Sequence, residues 1–199
     1  ERAGHEGLKT LLIEKRFIGG VCLNEGCIPS KALLYSAKAY EYAKHGEKYG
    51  VAAENVSLNH STVIDRKNRV VKTLVSGVKS QLRKNKVTVV EGEAKITGRS
   101  GEGYTVTANG ETYTGKRLLI AAGSVPVVPP IPGAKEGLEK GYILTNREIL
   151  DIPSVPDSLV IIGGGVIGLE MASYFNTAGS KVTIIEMLDH IAGPTDREI

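Results

Sequence analysis

No apolar run in the 199 residues approaches the roughly 20 positions that a membrane-spanning helix needs, and the opening ERAGHEGLKT has no signal-peptide pattern. Neither a membrane partner nor secretion is expected. Charge of one sign is lacking too: 25 Lys and Arg against 22 Asp and Glu leave +3. That balance excludes a nucleic-acid stripe and a polybasic membrane patch. Two cysteines are too few to staple a disulfide-framed domain, and with no His near them in sequence they fall short of four zinc ligands, so no metal is expected. Aromatics are only 5 %, whereas glycine occurs 24 times. That excess points to tight turns and close backbone approaches of the kind nucleotide sites use. At 41 % hydrophobic the chain can bury a core.

The run SLVIIGGGVIGLEMASYFNTAGSKVTIIE, Ser158 to Glu186, reads as strand, glycine turn, helix and strand. Val166 to Asn176 carry helical apolar spacing, Gly179 caps the end, and Lys181 to Glu186 return parallel to Leu159–Ile162. GLKTLLIE at Gly7–Glu14 matches GSKVTIIE at Gly179–Glu186 at an offset of 179 − 7 = 172 residues. The counterpart of Gly163 in the first unit would precede Glu1. ERAGHE then reads as the end of a helix, the strand after it as lacking its partner, and the chain as a fragment cut at both ends. Between the repeats, Ser30–Lys44 and His60–Asn85 are helical, the latter with Val63, Val70, Leu74, Val78 and Leu82 on one face. Val87–Val90 and Arg117–Ala121 read as strands, and Tyr104–Ala108 and Glu111–Thr114 as a hairpin around Asn109-Gly110. VPVVPPIP, Val125 to Pro132, breaks regular structure. The expected fold is α/β with two Rossmann-like nucleotide-binding domains, both incomplete: 1–125, a Pro-rich crossover over 126–152, and 153–199.

Two signals carry chemistry. Gly163-x-Gly165-x-x-Gly168 follows a strand and opens a helix, with Glu186 ending the next strand. Such glycines admit a pyrophosphate to the helix N-terminus, where Val166 and Ile167 offer backbone N–H groups, and the acid accepts from ribose hydroxyls. Glu186 without a neighbouring Arg favours NAD over NADP. By the repeat, Glu14 should meet a second adenosine ribose, so two nucleotide cofactors are implied. The second signal is Cys22-Leu-Asn-Glu-Gly-Cys27 before a helix that Pro29 helps to start. A thiol at a helix N-terminus is acidified. A structural disulfide remains an alternative, worth only about 2 kcal/mol for so short a ring. A redox dithiol fits best.

GGVCLNEGCIPSK, Gly19 to Lys31, resembles the redox-disulfide signature of the flavin-dependent disulfide reductases, and Leu23, Ile28 and Ser30 make it most similar to their dihydrolipoamide dehydrogenase branch. The resemblance spans nearly the whole chain. It implies FAD contacts from Glu14, Lys15, Gly19, Gly20, Val21, Cys22 and Lys31, from Ala94 in GEA, and from Ala121, Ala122, Gly123 and Ser124 in AAGS, with NAD at the Gly163–Gly168 turn and Glu186. It implies that Cys22 is the interchange thiol and Cys27 the charge-transfer thiolate, and that Lys31 pairs with Glu170 near the flavin. The activity implied is oxidation of protein-bound dihydrolipoamide with reduction of NAD. Lipoyl-bearing domains of 2-oxo acid dehydrogenase complexes or of the glycine cleavage system would be partners, the protein a homodimer, and the compartment the bacterial cytoplasm or mitochondrial matrix. Val21 and Ala122 stand where the family often has Thr, each losing a hydroxyl. Glutathione or mercuric reductase chemistry is an alternative, as is a non-catalytic redox-sensing dinucleotide-binding module.

Overall fold

A computed structural model describes residues 1–101, 103–193 and 195–196, so residue 194 and residues 197–199 of the expected 153–199 domain lie outside the description. In chain order the elements are α1 (Arg2–His5), β1 (Leu11–Glu14), α2 (Gly20–Glu25), α3 (Cys27–Lys44), α4 (His60–Lys84), β2 (Thr88–Glu91), β3 (Lys95–Ser100), β4 (Gly103–Ala108), β5 (Glu111–Gly115), α5 (Ala134–Glu139), β6 (Ser158–Ile162), α6 (Val166–Ala178) and β7 (Lys181–Ile185). Two compact units result, one of residues 1–24 with 72–125, the other of 25–71 with 126–199.

In the first unit β1 lies parallel to β2, with Leu11 opposite Thr88 and Glu14 opposite Glu91. The expectation that β1 would lack a partner is thereby corrected: the apolar run after Lys86 supplies one. Ile18, Leu82 and Val87 form the buried centre, with Leu12 and Val78 against it. A separate antiparallel sheet runs β3-β4-β5. Its second turn holds Asn109 and Gly110 at φ 52° and 81°, the doubly positive pair that a tight two-residue hairpin turn demands. The strand expected over Arg117–Ala121 does not form. Extended backbone becomes a strand only against another, and among the described residues none pairs with this segment; Leu119 and Ile120 stand 88 % and 69 % exposed.

In the second unit β6 and β7 are parallel, from Ser158 opposite Lys181 to Ile162 opposite Ile185, joined by α6. The helix stops where Gly179 turns to φ 112° and its N–H closes on Asn176, a left-handed cap that a Cβ would strain. Tyr174 and Phe175 are fully buried on α6 and pack with Leu33 and Ala37 of α3, Val63 of α4, and Leu150. His60, at the start of α4, is buried among them. Its Nδ1 lies 2.8 Å from the Tyr174 hydroxyl and its Nε2 3.0 Å from the Ile152 carbonyl. The carbonyl can only accept, so Nε2 donates and the Tyr174 hydroxyl donates to Nδ1. Burial pushes the Tyr174 hydroxyl up to about 12. Lys67, 2 % exposed, is satisfied by the Leu150 carbonyl at 3.0 Å and the Asp151 carboxylate. Of the α4 face expected from spacing, Val63 and Leu82 are buried while Leu74 stays exposed.

Candidate functional site

The glycine turn after β6 is built by sterics. Gly163 sits at φ 105°, and a Cβ on Gly168 would lie 2.2 Å from the Gly163 carbonyl oxygen and 3.2 Å from Ile161 Cγ2, so the helix can approach the strand only without a side chain there. Around Gly165 the space is open to 4 Å. No side chain caps the start of α6. The first N–H groups of a thirteen-residue helix therefore face a cradle lined by glycine, an arrangement that fits a nucleotide pyrophosphate. Val166 and Ile167 open that helix with exposed side chains.

Glu186 follows β7 beside the same turn. Its Oε2 accepts from the Gly164 N–H at 2.6 Å, and its Oε1 from those of Met187 and Leu188 at 2.7 and 2.9 Å. The Leu188 and Gly164 amides are the main causes holding its carboxyl below the ordinary value; Met187 and the nearby His190 add to this and desolvation opposes it. A carboxylate kept ionised at the mouth of the turn can still accept from hydroxyls with its remaining lone pairs. Sequence spacing marks the residue but not these amides, because the loop that brings them follows the strand without a pattern of its own.

Cys22 and Cys27 are joined as a disulfide. Cys22 lies within α2, and Cys27 is the first residue of α3, with Gly26 as its N-cap. The Ser30 N–H closes on the Gly26 carbonyl at 3.1 Å, so α3 begins three residues earlier than its Ala-rich stretch suggested and places the sulfur of Cys27 at the positive end of an eighteen-residue helix. One turn on, Lys31 Nζ donates to Glu170 Oε1 at 2.5 Å, tying α3 to α6. Lys31 is largely exposed while Glu170 is mostly covered.

In the first unit Glu14 ends β1 and accepts the Arg16 N–H at 2.8 Å. It borders a cavity of about 90 Å³ with Arg16, Phe17, Ile18, Asn24 and Glu91, at the carboxyl ends of the two parallel strands where such folds receive ligands. That setting suits an adenosine ribose. Lys15 points instead to Glu93, 3.1 Å away, beside Ala94. Gly19 and Gly20 have φ 107° and 74° and lead into α2, where Val21 lies. A Cβ on Gly123, φ 73°, would come 3.9 Å from Val21 Cγ2, so the 121–124 segment, with Ala121, Ala122 and Ser124, runs past the start of α2. Among the described residues no group of three His, Cys, Asp or Glu could hold a metal ion, and no helix is long and apolar enough to cross a membrane.

Sequence reasoning missed Glu25, whose carboxylate meets Arg147 at 3.2 Å with both side chains mostly covered. Only the presence of an acid between the two cysteines could have drawn attention to it.

The family model for pyridine nucleotide-disulphide oxidoreductases matches residues 1–199. The chain is 46 % identical over its whole length to the dihydrolipoyl dehydrogenase of Acholeplasma laidlawii, covering 58 % of that protein, and 41 % identical to that of Mycoplasma pneumoniae, covering 43 %. It thus spans about half the length of these curated relatives. Among solved structures, the HOCl-induced flavoprotein disulfide reductase RclA of Escherichia coli, as its Cu(II) complex, superposes with a TM-score of 0.82 at 29 % identity over the full chain and 41 % of RclA. With the glycine turn and the paired cysteines in place along a match that leaves no residue out, the chain belongs to the pyridine nucleotide-disulphide oxidoreductase family.

Proposed function

We propose that the protein acts as a dihydrolipoyl dehydrogenase: protein-bound dihydrolipoamide is oxidised to lipoamide through the Cys22–Cys27 disulfide, and NAD receives the two electrons. The observation that carries the reading is the disulfide whose second sulfur heads α3, one turn before a lysine tied to the helix of the glycine turn. A lipoyl thiolate attacks Cys22 and breaks the Cys22–Cys27 bond. Cys27 departs as a thiolate, stabilised by the N-terminus of α3. The second lipoyl thiol then attacks the mixed disulfide, releasing lipoamide and leaving Cys22 reduced. Two electrons and two protons pass to the protein. FAD, when bound, carries those electrons to NAD. Lys31, held by Glu170, keeps a cation beside the reacting centre, and Gly163, Gly165 and Gly168 with Val166 and Ile167 receive the NAD pyrophosphate.

In this reading residues 1–125 bind FAD through Glu14, Lys15, Gly19–Cys22, Ala94 and Ala121–Ser124, residues 126–152 cross over, and residues 153–199 begin the NAD domain. The donors of electrons are lipoyl-bearing domains, and the enzyme is a homodimer. The 38–46 % identity to dihydrolipoyl dehydrogenases supports this over glutathione or mercuric reduction. Cys22→Ser and Cys27→Ser should each lower NAD reduction by dihydrolipoamide on the order of a thousandfold, because a lone thiol cannot complete the exchange. Turnover of dihydrolipoamide surviving in both variants would overturn the proposal, as would activity confined to glutathione disulfide.

A further inference from the structure

The backbone does not require glycine at residue 92, whose φ is not among the positive ones. Space requires it. A Cβ on Gly92 would lie 2.4 Å from Asn109 Oδ1 and 2.8 Å from Asn109 Nδ2, so the side chain at the tip of the β4–β5 hairpin already fills that position. The tip has a second hold on the same strand end: Asn109 Nδ2 donates to the Glu91 carbonyl at 2.8 Å. At φ 52° the turn would accept Asp or Gly as readily as Asn. Of the three, only Asn brings a side-chain donor. From the opposite side the Gly92 N–H donates to the Glu14 carbonyl at 2.9 Å, and Lys15 Nζ reaches Glu93 at 3.1 Å. Glu14 and Glu91 stand opposite each other on β1 and β2, and both border the cavity of about 90 Å³. Residues 91–93 are therefore pinned between the end of β1 and the hairpin tip, all within the first unit.

We propose that Asn109 is a positioning residue for the flavin-side nucleotide: its amide holds residues 91–93 against the end of β1 and so fixes Glu14, and the backbone leading to Ala94, where the adenosine of FAD is received. The proposal rests on the reading of residues 1–125 as an FAD site. It assigns Asn109 no contact with FAD itself; the residue acts through Glu91 and Gly92.

The test measures FAD retained by the full-length holoenzyme across a dilution series, by ultrafiltration, and NAD affinity at saturating FAD as the control for the second unit. Asn109→Asp keeps the turn but sets an acceptor against the Glu91 carbonyl, so the Kd for FAD should rise about tenfold. Gly92→Ala should raise it at least as far, because its methyl displaces the amide. Asn109→Gly should raise it about fivefold, and in that background the methyl has room, so adding Gly92→Ala should cost less than about twofold more. NAD affinity should stay within about twofold of wild type in every variant. With FAD retained by wild type, three results would each overturn the inference: an unchanged FAD Kd in Asn109→Asp, full additivity of Gly92→Ala with Asn109→Gly, or FAD and NAD affinities falling together. If Gly92→Ala fails to fold, Asn109→Asp decides. A wild type that retains no FAD overturns the FAD reading along with the inference.

Discussion

The two strands that close on Ile-Glu share their sequence frame, 172 residues apart, yet their glutamates live differently. Glu186 is gripped by three backbone amides, one of them from the glycine turn across from it. Glu14 holds a single amide, that of Arg16, and faces a small cavity. The packing behind them differs as well: α6 and β7 stand on a core with two fully buried aromatics, whereas β1 rests on three buried aliphatic side chains. A repeated strand motif therefore dictates where the carboxylate emerges. What it touches is decided by the turn and the core that surround it.

The difference in core depth can be broken first. Phe175→Ala should cost about 3–5 kcal/mol and Leu82→Ala about 2–3 kcal/mol, because each leaves a cavity in proportion to the side chain removed. Chemical denaturation followed by circular dichroism measures both, and equal costs would dissolve the contrast. Next comes the turn that only Glu186 is seen to share. Gly168→Ala must displace the Gly163 carbonyl, which its Cβ would meet at 2.2 Å, so about 1–3 kcal/mol of stability and most NAD affinity should go together. Thermal melts with and without NAD read the two losses; a variant that keeps NAD binding would show that the turn does not receive the pyrophosphate.

The smallest effects belong to Glu186 itself. Its carboxyl is lower in the folded protein than its ordinary 4.5, so its contribution is present above that value and fades as pH falls through the folded one. Glu186→Gln should flatten the acid limb of the stability profile. The same variant should weaken NAD, and Met187→Arg should move the kcat/KM ratio toward NADP by roughly tenfold, the scale of one charged hydrogen bond. Unchanged ratios in both would mean that Glu186 serves only its three amides.

Much of this second unit could be read from residue spacing. Strand, turn, helix and return strand all stand within two residues of their expected positions, and Gly179 caps where it should, since the helix period and the glycine punctuation act locally. Asn109-Gly110 is legible for the same reason. Arg117–Ala121 misled because β-branched and apolar runs describe a strand's chemistry but not its neighbour. Cys27 at the start of α3 is legible from Pro29, which suits a first helical turn, whereas the Ala-rich run alone would open the helix three residues later. Lys67 and the Glu25–Arg147 pair were invisible, as charged residues read as solvent-facing until tertiary packing covers them. Lys31–Glu170 came from family resemblance, a pairing that no local rule could supply across 139 residues.

The chain contains no tryptophan and eight tyrosines, so its near-ultraviolet signal is a tyrosine signal, and of these only Tyr174 is fully buried. Locked as a donor to His60 and raised from 10.0 to about 12, its phenol stays neutral well above the ordinary tyrosine value. The stability tied to that neutral form is complete below pH 10 and drains away as pH rises toward 12. Tyr113 is raised too, by its hydrogen bond to Glu111, so a tyrosinate absorbance titration compared between wild type and Tyr113→Phe isolates the late step of Tyr174, an optical gauge of whether the core beneath α6 is closed.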